Sequence, residues 1–498
     1  MRFERLTQEE CTKGISRRRF IQIAAQVTTA AGMARTSVAS FADSTASASV
    51  RDTRPNVLFI AIDDMSTNVS AFADPAVKTP HMEALARRGV AFDYAYCQFP
   101  LCNPSRTSVM TGLRPETSGV LTNDVYWRDR IPHALDLAQH FADHGYDTVA
   151  VGKITHMRQR RNRGAGWTRV IRAGGLSDGQ RGRGRELDGM LQDAIRAGRK
   201  PPPNAWYYQW GPSGLDGVNM VDGWFAAQAS RFLGESHPKP FFLAVGFHNP
   251  HLPFTAPDRF FDMYPPASVP IPQVPQGNAE GLPSFVRNAI PKDLAGRKLT
   301  PELVRTLNRA YRACCSHVDA CFGQVLEALK KNKLEKNTMV VLWSDHGFLL
   351  GEHGMWGKNC LFEEACRVPL ILAVPEGDFA RGQRCGALVE LVDLFPTLSE
   401  LCVLPIPETL EGTSLVPLLR DPKRSGRRAA FSVAKRGNTM GRSIRTKEWR
   451  YTEYTDGSAE LYDCRTPTAT STNQVHKSER RDIVAQLQTL LHAGFKVK

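Results

Sequence analysis

Two acidic positions in the sequence each lie at or just beyond the end of a short apolar run. They are Asp63-Asp64 and Asp345-His346. Neighbouring carboxylates at the end of an apolar run repel each other and are costly to remove from water unless a cation neutralises them. Either pair alone could cap a helix or lie in a turn, but two pairs at equivalent positions predict a divalent metal site. Three carboxylates with little nitrogen and no thiolate favour calcium or magnesium over zinc.

A second segment that could take part in a reaction contains a cysteine. It reads CNPSR from Cys102 to Arg106 and is followed by TGLRP from Thr111 to Pro115. A single cysteine in such surroundings is most often a buried structural thiol. The surrounding pattern is more specific, because Cys-x-Pro-Ser-Arg is the sequence that formylglycine-generating enzymes read in type I sulfatases.

The chain resembles the type I, formylglycine-dependent sulfatases over residues 54–498, and within them it is most similar to the iduronate-2-sulfatases. The motifs that carry the resemblance occur in the family's order: RPNVL at 54–58, VGK at 151–153, the stretch from Phe241 to Phe254, SDHG at 344–347 and LVELVDLFPTL at 388–398. The resemblance implies an alkaline-phosphatase-like α/β fold with a mostly parallel sheet flanked by helices. It also implies removal of sulfate from a carbohydrate, with 2-sulfated iduronate as the candidate sugar.

By this resemblance, a formylglycine-generating enzyme converts Cys102 to an aldehyde. An ester of an ordinary thiol or hydroxyl would release sulfate slowly. A hydrated aldehyde has two hydroxyls on one carbon, so one can attack sulfur and the other can later expel the sulfate. The resemblance also implies a bound calcium, with magnesium as the alternative. Its ligands would be Asp63, Asp64, Asp345, His346 and the modified Cys102.

Three cationic side chains occupy family positions that hold the sulfate and the hydrate while charge develops. Arg106 and Lys153 would support the hydrate, and Lys358, in the motif GMWGK, would contact sulfate oxygens. Considered singly, each could be an ordinary surface cation.

Histidines would move protons in the same reaction. His156, in KITH, would deprotonate the second hydroxyl of the hydrate. His248, at the start of HNPH, would protonate the departing sugar oxygen as general acid. His251, at the end of the same motif, could replace His248 or cap a turn.

Two positions depart from the iduronate-sulfatase pattern. Asn438 stands where the pattern has a lysine for the sugar carboxylate, and Phe348 stands where it has a tryptophan. Lys435 or Arg436 could supply the missing cation. The expectation of a sulfatase thus rests on more residues than the expectation of a uronate substrate.

Alternating strands and helices must position these residues. The apolar runs Asn56–Ile62 and Met339–Trp343 are typical of parallel strands buried on both faces. Residues 299–334 show a strong helical pattern, with Thr300 as N-cap and Pro301 at the first helical position. Ligands of such sheets gather beyond the carboxyl ends of the strands.

Three regions are expected along the chain: a twin-arginine signal region at 1–50, the sulfatase catalytic domain at 51–425 and a C-terminal α+β subdomain at 426–498. The signal prediction rests on Arg17-Arg18, followed by a mildly apolar stretch and a zone of small residues. It predicts a periplasmic or secreted protein, and a basic amphipathic helix is the alternative. The subdomain prediction rests on short strands at 431–434 and 443–454 and a terminal helix at 479–495.

Two further segments interrupt the alternation of strands and helices. The segment Arg158–Arg185 contains nine arginines and no apolar periodicity, which predicts a surface insertion. It could be a solvated loop or could bind a polyanion. The proline-rich segment His248–Pro291 is predicted to be a long irregular connection.

The composition limits the classes of protein that the chain can represent. With 42% hydrophobic residues it can form a large core, which excludes a disordered or fibrous protein. The formal charge of +14 favours anionic partners, which could be nucleic acid, acidic lipid or a sulfated glycan. The resemblance to sulfatases implies a sulfated glycan and no nucleic acid. No later stretch approaches the ~18–20 apolar residues of a membrane span, so no stable membrane insertion is expected. The eleven scattered cysteines predict neither a disulfide scaffold nor a CxxC zinc site.

Two other functions fit part of the pattern. A phosphomonoesterase or phosphonate hydrolase of the alkaline phosphatase superfamily would use comparable metal-binding carboxylates. Such enzymes usually present Thr or Ser as nucleophile, or more histidines for a second ion. A non-catalytic glycan-binding relative would lack several of the residues named above, and this chain has them all.

Overall fold

The structure is a computed structural model that describes residues 52–156, 166–173 and 209–494, except 273, 275–281, 291–292, 295–296, 376 and 466–471, and a few positions between 188 and 200. The predicted signal region at 1–50 lies outside the described residues, and so does most of the arginine-rich segment.

A nine-stranded sheet forms the centre of the described molecule. Its strands, numbered along the chain, are β1 (Asn56–Asp63), β2 (Val90–Tyr96), β3 (Asp147–Gly152), β4 (Arg169–Ile171), β5 (Phe241–Pro250), β6 (Thr338–Ser344), β7 (Arg367–Val368), β8 (Leu370–Ala373) and β9 (Gln383–Glu390). Their spatial order is β7-β2-β8-β6-β1-β5-β3-β4, and β9 pairs with β2. The pairs among β6, β1, β5, β3 and β4 are parallel, as is β9 with β2, whereas β7 and β8 are antiparallel to their neighbours. The predicted mostly parallel sheet is confirmed.

The burial of β1 shows why this sequence forms a central strand. Every residue of β1 is buried. Because successive side chains of a strand point to opposite faces, Leu58 and Ile60 enter one apolar cluster and Val57 and Phe59 enter another. The sheet therefore separates two apolar layers, and each layer needs helices to cover it.

Helices cover both faces of the sheet. In chain order they are α1 (Pro80–Arg88), α2 (Cys102–Thr111), α3 (Pro115–Ser118), α4 (Trp127–Arg130), α5 (Leu137–Asp143), α6 (Val221–Leu233), α7 (Asp258–Asp262), α8 (Ser284–Arg287), α9 (Pro301–Lys331), α10 (Glu363–Cys366), α11 (Leu394–Leu401), α12 (Val416–Arg420) and α13 (Arg481–Gly494). Residues of α6 and α9 pack in the cluster with Leu58, whereas residues of α2, α5 and α11 pack in the cluster with Phe59. The predicted start of α9 is confirmed, since Pro301 is its first residue and the Thr300 side chain accepts the N–H of Leu303.

Short elements connect these parts. The 3-10 turns are Gly217–Asn219, Pro266–Ser268, Glu335–Asn337, Glu352–Gly354, Leu391–Asp393 and Ser478–Arg480. There are also three small sheets among the described residues. One has three strands, Asp188–Gly189, Gln209–Pro212 and Phe254–Ala256. The other two are pairs of strands, Asp293–Leu294 with Arg297–Lys298 and Leu349–Leu350 with Trp356–Gly357. Among the described residues, no helix combines the length and apolarity needed to cross a membrane.

The C-terminal part is a four-stranded antiparallel sheet, in chain and spatial order β10 (Ala430–Arg436), β11 (Thr439–Arg445), β12 (Trp449–Tyr454) and β13 (Ala459–Asp463), packed with α13. This confirms the predicted α+β character. The single strand predicted at 443–454 is wrong, because Thr446 N–H donates to Trp449 O and turns the chain there. The boundary between residues 425 and 426 stays a prediction.

Two irregular segments are more structured than predicted. Within the arginine-rich segment, β4 pairs with β3 at the edge of the main sheet, and its residues Arg169 and Val170 are exposed. The proline-rich segment contains Phe254–Ala256, α7, Pro266–Ser268 and α8.

Candidate active site

The carboxyl ends of four parallel strands bring the predicted residues together. Asp63 ends β1, Asp345 follows β6, Lys153 follows β3, and His248 lies near the end of β5. The ends of β1 and β6 are joined by hydrogen bonds, since Asp64 N–H donates to Asp345 Oδ1 at 3.1 Å. The two acidic pairs therefore form one cluster, as their strand positions predicted.

Cys102 is the first residue of α2, and its side chain is buried. Its Sγ lies 3.4 Å from His346 Nε2, 3.9 Å from Asp64 Oδ1 and 3.2 Å from Lys358 Nζ. Burial raises the pKa of this thiol, but Lys153 and Lys358 outweigh that effect and lower the pKa to about 6. The cysteine predicted as aldehyde precursor thus lies at the centre of the cluster.

The CNPSR segment is held in place by its own side chains. Pro104 lies in the first turn of α2, where its missing N–H breaks no helical hydrogen bond. The Asn103 amide donates to the Thr122 and Val125 carbonyls at 2.8 and 2.7 Å. These contacts fix the start of the helix and hence the position of Cys102.

Three buried carboxylates and one imidazole form a donor set for a cation. Ligand atoms of Asp63, Cys102, Asp345 and His346 lie within 4.8 Å of one another. The third carboxylate is Asp64, whose Oδ1 lies 3.4 Å from His346 Nε2. His346 Nδ1 is paired with the Gly347 carbonyl at 2.9 Å, which directs Nε2 into the cluster. Carboxylate oxygens gathered in a buried place suit a hard divalent ion. The residues present therefore fit the predicted metal.

A second group of ligand atoms includes His251, which the sequence assigned only to proton transfer or a turn. Asp63, Asp64, Cys102 and His251 also lie within 4.8 Å of one another. His251 Nε2 is 4.0 Å from carboxylate oxygens of both aspartates. Burial lowers the pKa of His251, but Asp64 and Asp63 outweigh it, so that the pKa is raised.

Arg106 and Lys153 balance the charge of the carboxylates. Arg106 Nε donates to Asp345 Oδ2 at 2.8 Å, and its Nη2 lies 3.3 Å from Asp63 Oδ1. Lys153 forms a buried ion pair with Asp63. Burial raises the pKa of Asp63, but Lys153, His251 and the other cations hold it well below its usual range. Asp63 is therefore ionised and able to bind a metal.

Lys358 closes the cluster from its solvent side. It forms an ion pair with Asp64, and its side chain retains 16% exposure, whereas that of Lys153 retains 4%. Three carboxylates thus meet three fixed cations, Arg106, Lys153 and Lys358. A divalent ion added to this balanced set gives the site a net positive charge, which suits an anionic substrate.

The VGK motif has a steric explanation. Gly152 has a φ of 76°, and a Cβ there would lie 2.2 Å from the Gly246 carbonyl oxygen. A Cβ at Gly246 would in turn lie 2.0 Å from the Lys153 carbonyl oxygen. Only two glycines allow β3 and β5 to approach this closely where Lys153 turns into the cluster. Arg106 then holds that turn by donating to the Ile154 carbonyl at 3.1 Å.

His156 and His248 lie half-buried near the cations of the cluster. Burial and the nearby Lys153 lower the pKa of each to about 3. Both imidazoles are therefore neutral before an anion binds. A neutral His156 can accept a proton, and a bound anion would favour protonation of His248.

Two supporting residues were not identified from the sequence. Asp222, at the start of α6, accepts the main-chain N–H groups of His248 and Asn249 at 2.7 Å each. Tyr311, in α9, donates to the carbonyl of Asp64 at 2.7 Å, and Asp64 has a left-handed φ of 62°. The sequence around Asp222 contains no signal for this role, whereas Tyr311 could have been noticed as a polar side chain on a mostly apolar helical face.

The burial of the site residues indicates its open side. The carboxylates, Cys102, Arg106 and His346 are buried, whereas His156, His248, His251 and Lys358 are partly exposed. All the residues predicted for catalysis and metal binding lie in or beside this one cluster. A substrate would approach past the histidines and Lys358.

Residues 55–402 match the Sulfatase family, and residues 351–496 match the C-terminal family of N-sulphoglucosamine sulphohydrolase. The chain is 31% identical over 460 residues to a sulfatase of Formosa agariphila, covering 88% of this chain and 86% of that protein. This chain belongs to the sulfatase family. This sulfatase chain is also 30% identical over 413 residues to iduronate 2-sulfatase of Mus musculus, covering 71% of this chain and 69% of the mouse protein.

The fold of this sulfatase resembles a phosphonate monoester hydrolase from Silicibacter pomeroyi, with a TM-score of 0.75 and 23% identity over 88% of this chain and 95% of that one. The predicted alkaline-phosphatase-like fold is confirmed. The departure at Phe348 is accommodated by packing, since its ring stacks on Tyr311 at 5.9 Å and meets Trp356 at 6.1 Å. Asn438 lies exposed in the turn between β10 and β11.

Proposed function

We propose that this sulfatase hydrolyses sulfate monoesters of carbohydrates, using a formylglycine made from Cys102 and a bound divalent cation. Calcium is the preferred candidate for this cation, and magnesium is the alternative. The observation that carries the proposal is the convergence on Cys102 of three carboxylates, a histidine and the Lys358 ammonium. A structural thiol would have no need of these neighbours. The hydrated aldehyde would supply the attacking hydroxyl, and the cation, when bound, would polarise that hydroxyl and the sulfate.

The metal ligands in this proposal are Asp63, Asp64, Asp345, His346 and the oxygen at position 102. Arg106 orients Asp345 and Asp63 through its guanidinium, so its role includes fixing the ligands as well as stabilising the hydrate. Lys153 is buried and paired with Asp63, whereas Lys358 lies beside Cys102 on the side of the cluster that is open to solvent. Lys358 is therefore the cation assigned to the sulfate oxygens.

Proton transfer is assigned to two histidines. His156 would take the proton from the second hydroxyl of the hydrate, since its imidazole is neutral and its Nδ1 is buried without a hydrogen-bond partner among the described residues. His248 would give a proton to the leaving sugar oxygen. His251 remains the alternative acid, and its position beside Asp63 and Asp64 favours a role near the metal instead.

The proposed substrate class is a sulfated sugar, with a 2-sulfated uronate as the specific candidate. The relative named iduronate 2-sulfatase supports this candidate, whereas Asn438 removes the lysine of that pattern. Lys435 is the better replacement, because both outer nitrogens of Arg436 contact main-chain carbonyls. We assign the sugar carboxylate to Lys435.

A phosphomonoesterase or phosphonate hydrolase is the second candidate, favoured by the fold shared with the phosphonate monoester hydrolase. The experiment that separates them compares kcat/KM for nitrophenyl sulfate, nitrophenyl phosphate and a nitrophenyl phosphonate on one preparation. We expect the sulfate to be the best substrate. A preference for the phosphate or phosphonate would contradict the proposal, and no turnover of any ester would favour a glycan-binding protein.

The proposal also includes a modifying enzyme and a route of export. A formylglycine-generating enzyme must act on the CNPSR segment, and twin-arginine export would carry the folded, modified protein to the periplasm or beyond. Exchange of Arg17 and Arg18 for lysine should retain the precursor in the cytoplasm of the native host. Delivery that is unchanged in this variant would contradict twin-arginine export.

A further inference from the structure

Asn359, the residue after Lys358, connects three parts of the molecule. Its main-chain N–H donates to the Pro100 carbonyl at 2.9 Å, just before Cys102. Its side-chain amide donates to the Lys435 carbonyl at 3.3 Å, at the end of β10. Its own carbonyl accepts from Arg436 Nη2 at 3.1 Å. The turn that carries Lys358 is therefore tied both to the start of α2 and to the C-terminal sheet.

The backbone at Asn359 needs such support. Its φ is 64°, in the left-handed region that asparagine tolerates better than most residues but does not prefer. This conformation turns the chain immediately after Lys358. Lys358 Nζ reaches the Cys102 Sγ at 3.2 Å and forms an ion pair with Asp64. A change in the turn would move this long, flexible side chain out of the cluster.

Arg436 is placed to hold the turn rather than a substrate. While Nη2 donates to Asn359, Nη1 donates to the Phe285 carbonyl at 3.3 Å. The guanidinium also stacks over the Phe285 ring at 5.1 Å, and that ring packs on Tyr454 at 5.0 Å. Burial lowers the pKa of Arg436. A planar group with these contacts has a fixed orientation.

We propose that Arg436 is a positioning residue of the reaction, which acts through the Asn359 carbonyl to keep the Lys358 ammonium beside residue 102. This role rests on the proposed sulfatase activity. It means that the C-terminal sheet, which contains Arg436, contributes to catalysis. It differs from a reading in which Arg436 binds a sugar carboxylate. In the positioning role, Arg436 affects every sulfate ester equally, including esters that carry no carboxylate.

The test measures kcat and KM of Arg436→Ala with nitrophenyl sulfate and with a sulfated uronate. We expect kcat to fall about tenfold, the size of one lost hydrogen bond to a charged group, with the same factor for both substrates and little change in KM. Arg436→Lys should not restore kcat, because one ammonium cannot replace a planar group that donates to two carbonyls. Arg428→Ala, at an exposed position just before β10, is the matched control and should keep wild-type kcat and melting temperature.

A double-mutant cycle with Lys358→Ala tests the proposed route. If Arg436 acts through Lys358, Arg436→Ala should cost less than about twofold once Lys358 is absent, since coupled residues are not additive. A full tenfold further loss in that background would overturn the proposal. A loss confined to KM for the uronate, or full recovery in Arg436→Lys, would overturn it in favour of carboxylate binding.

Substitutions at Asn359 provide a test that does not require an Arg436 variant to fold. Asn359→Gly keeps the left-handed backbone and both main-chain hydrogen bonds, so kcat should fall only about twofold to threefold. Asn359→Ala strains the same backbone and should lose more activity. Equal kcat in the two variants and the wild type would contradict the proposal. Inactivity of the wild-type, modified enzyme on both esters would instead contradict the proposed function.

Discussion

The Sγ of Cys102 lies 3.4 Å from the Nε2 of His346, although 244 residues separate them in the sequence. His346 follows β6 and Cys102 begins α2, so the contact depends on two elements that meet at one edge of the sheet. The sulfur occupies the place of the proposed aldehyde oxygen, so that oxygen and the imidazole nitrogen would lie close enough to bind one ion beside the buried carboxylates. This arrangement connects the proposed nucleophile with the proposed metal.

Removal of the metal should lower activity and stability together. Without the metal, the clustered carboxylates repel one another more strongly, because only Arg106, Lys153 and Lys358 remain to neutralise them. A chelator should reduce both turnover and melting temperature, and calcium should restore both, with a stabilisation of about 2.7 kcal/mol at a hundredfold excess over Kd. Asp345→Asn should not respond to calcium, whereas the exposed Asp482→Asn should respond as the wild type does. Full activity and an unchanged melting temperature in metal-free protein would contradict this prediction.

The general acid can be identified by changing the leaving group. A sugar alcohol must be protonated as it leaves, whereas nitrophenolate leaves without a proton. His248→Ala should therefore lower kcat/KM for a sugar sulfate by about 10²–10⁴ and change that for nitrophenyl sulfate little. His251→Ala, measured in parallel, should affect both esters alike. The reverse pattern would assign the acid to His251.

The buried carboxylate of Glu390 should make part of the stability sensitive to acid. Burial raises the pKa of Glu390, but Arg114 and Arg427 outweigh it and lower the pKa to about 2. Because the unfolded value is about 4.3, the stabilisation is complete above that pH and is lost as the pH falls towards 2.

Glu390→Gln tests this dependence by leaving the two arginines without their shared carboxylate. The substitution should cost about 3–5 kcal/mol of unfolding free energy at pH 7, measured with urea. The difference from the wild type should shrink below pH ~4. The exposed Glu408→Gln should show neither effect, and a difference that stays constant with pH would refute the assignment.

Lys435 should determine the preference for a carboxylated sugar. Lys435→Ala should raise KM for 2-sulfated uronates more than for a neutral sulfated sugar, because a carboxylate bound without its cation loses a charge-assisted contact of about 1.5–3 kcal/mol. A panel of defined sulfated oligosaccharides at two salt concentrations measures the effect. Equal changes in KM for both sugars would contradict the proposal that Lys435 binds a sugar carboxylate.

The sequence predicts those parts of the site that local rules determine. The apolar runs gave the buried strands β1 and β6, so Asp63 and Asp345 could be placed at their ends. Thr300 and Pro301 likewise predicted the start of α9, because threonine is a common N-cap and proline is common at the first helical position. These signals lie within a few residues of the features that they predict.

Other features depend on contacts between distant segments. Nothing near Asp222 in the sequence indicates that its carboxylate will meet the backbone of His248. The sequence suggests Arg436 only as a partner of a sugar carboxylate, and its contact with the Asn359 carbonyl depends on where β10 meets that turn. The split between β11 and β12 depends on a turn at Thr446, within a stretch whose composition suits a continuous strand. Such features follow from the packing of the whole chain.

If residue 102 acts as an aldehyde, the peptide containing it must carry the modification in active enzyme. Mass spectrometry of that peptide, compared with the activity of each preparation, detects it. We expect the thiol to be replaced by the aldehyde in a fraction that rises in proportion to kcat, and the Cys102→Ala variant to be folded but inactive. Full activity in protein whose Cys102 is entirely an unmodified thiol would contradict it.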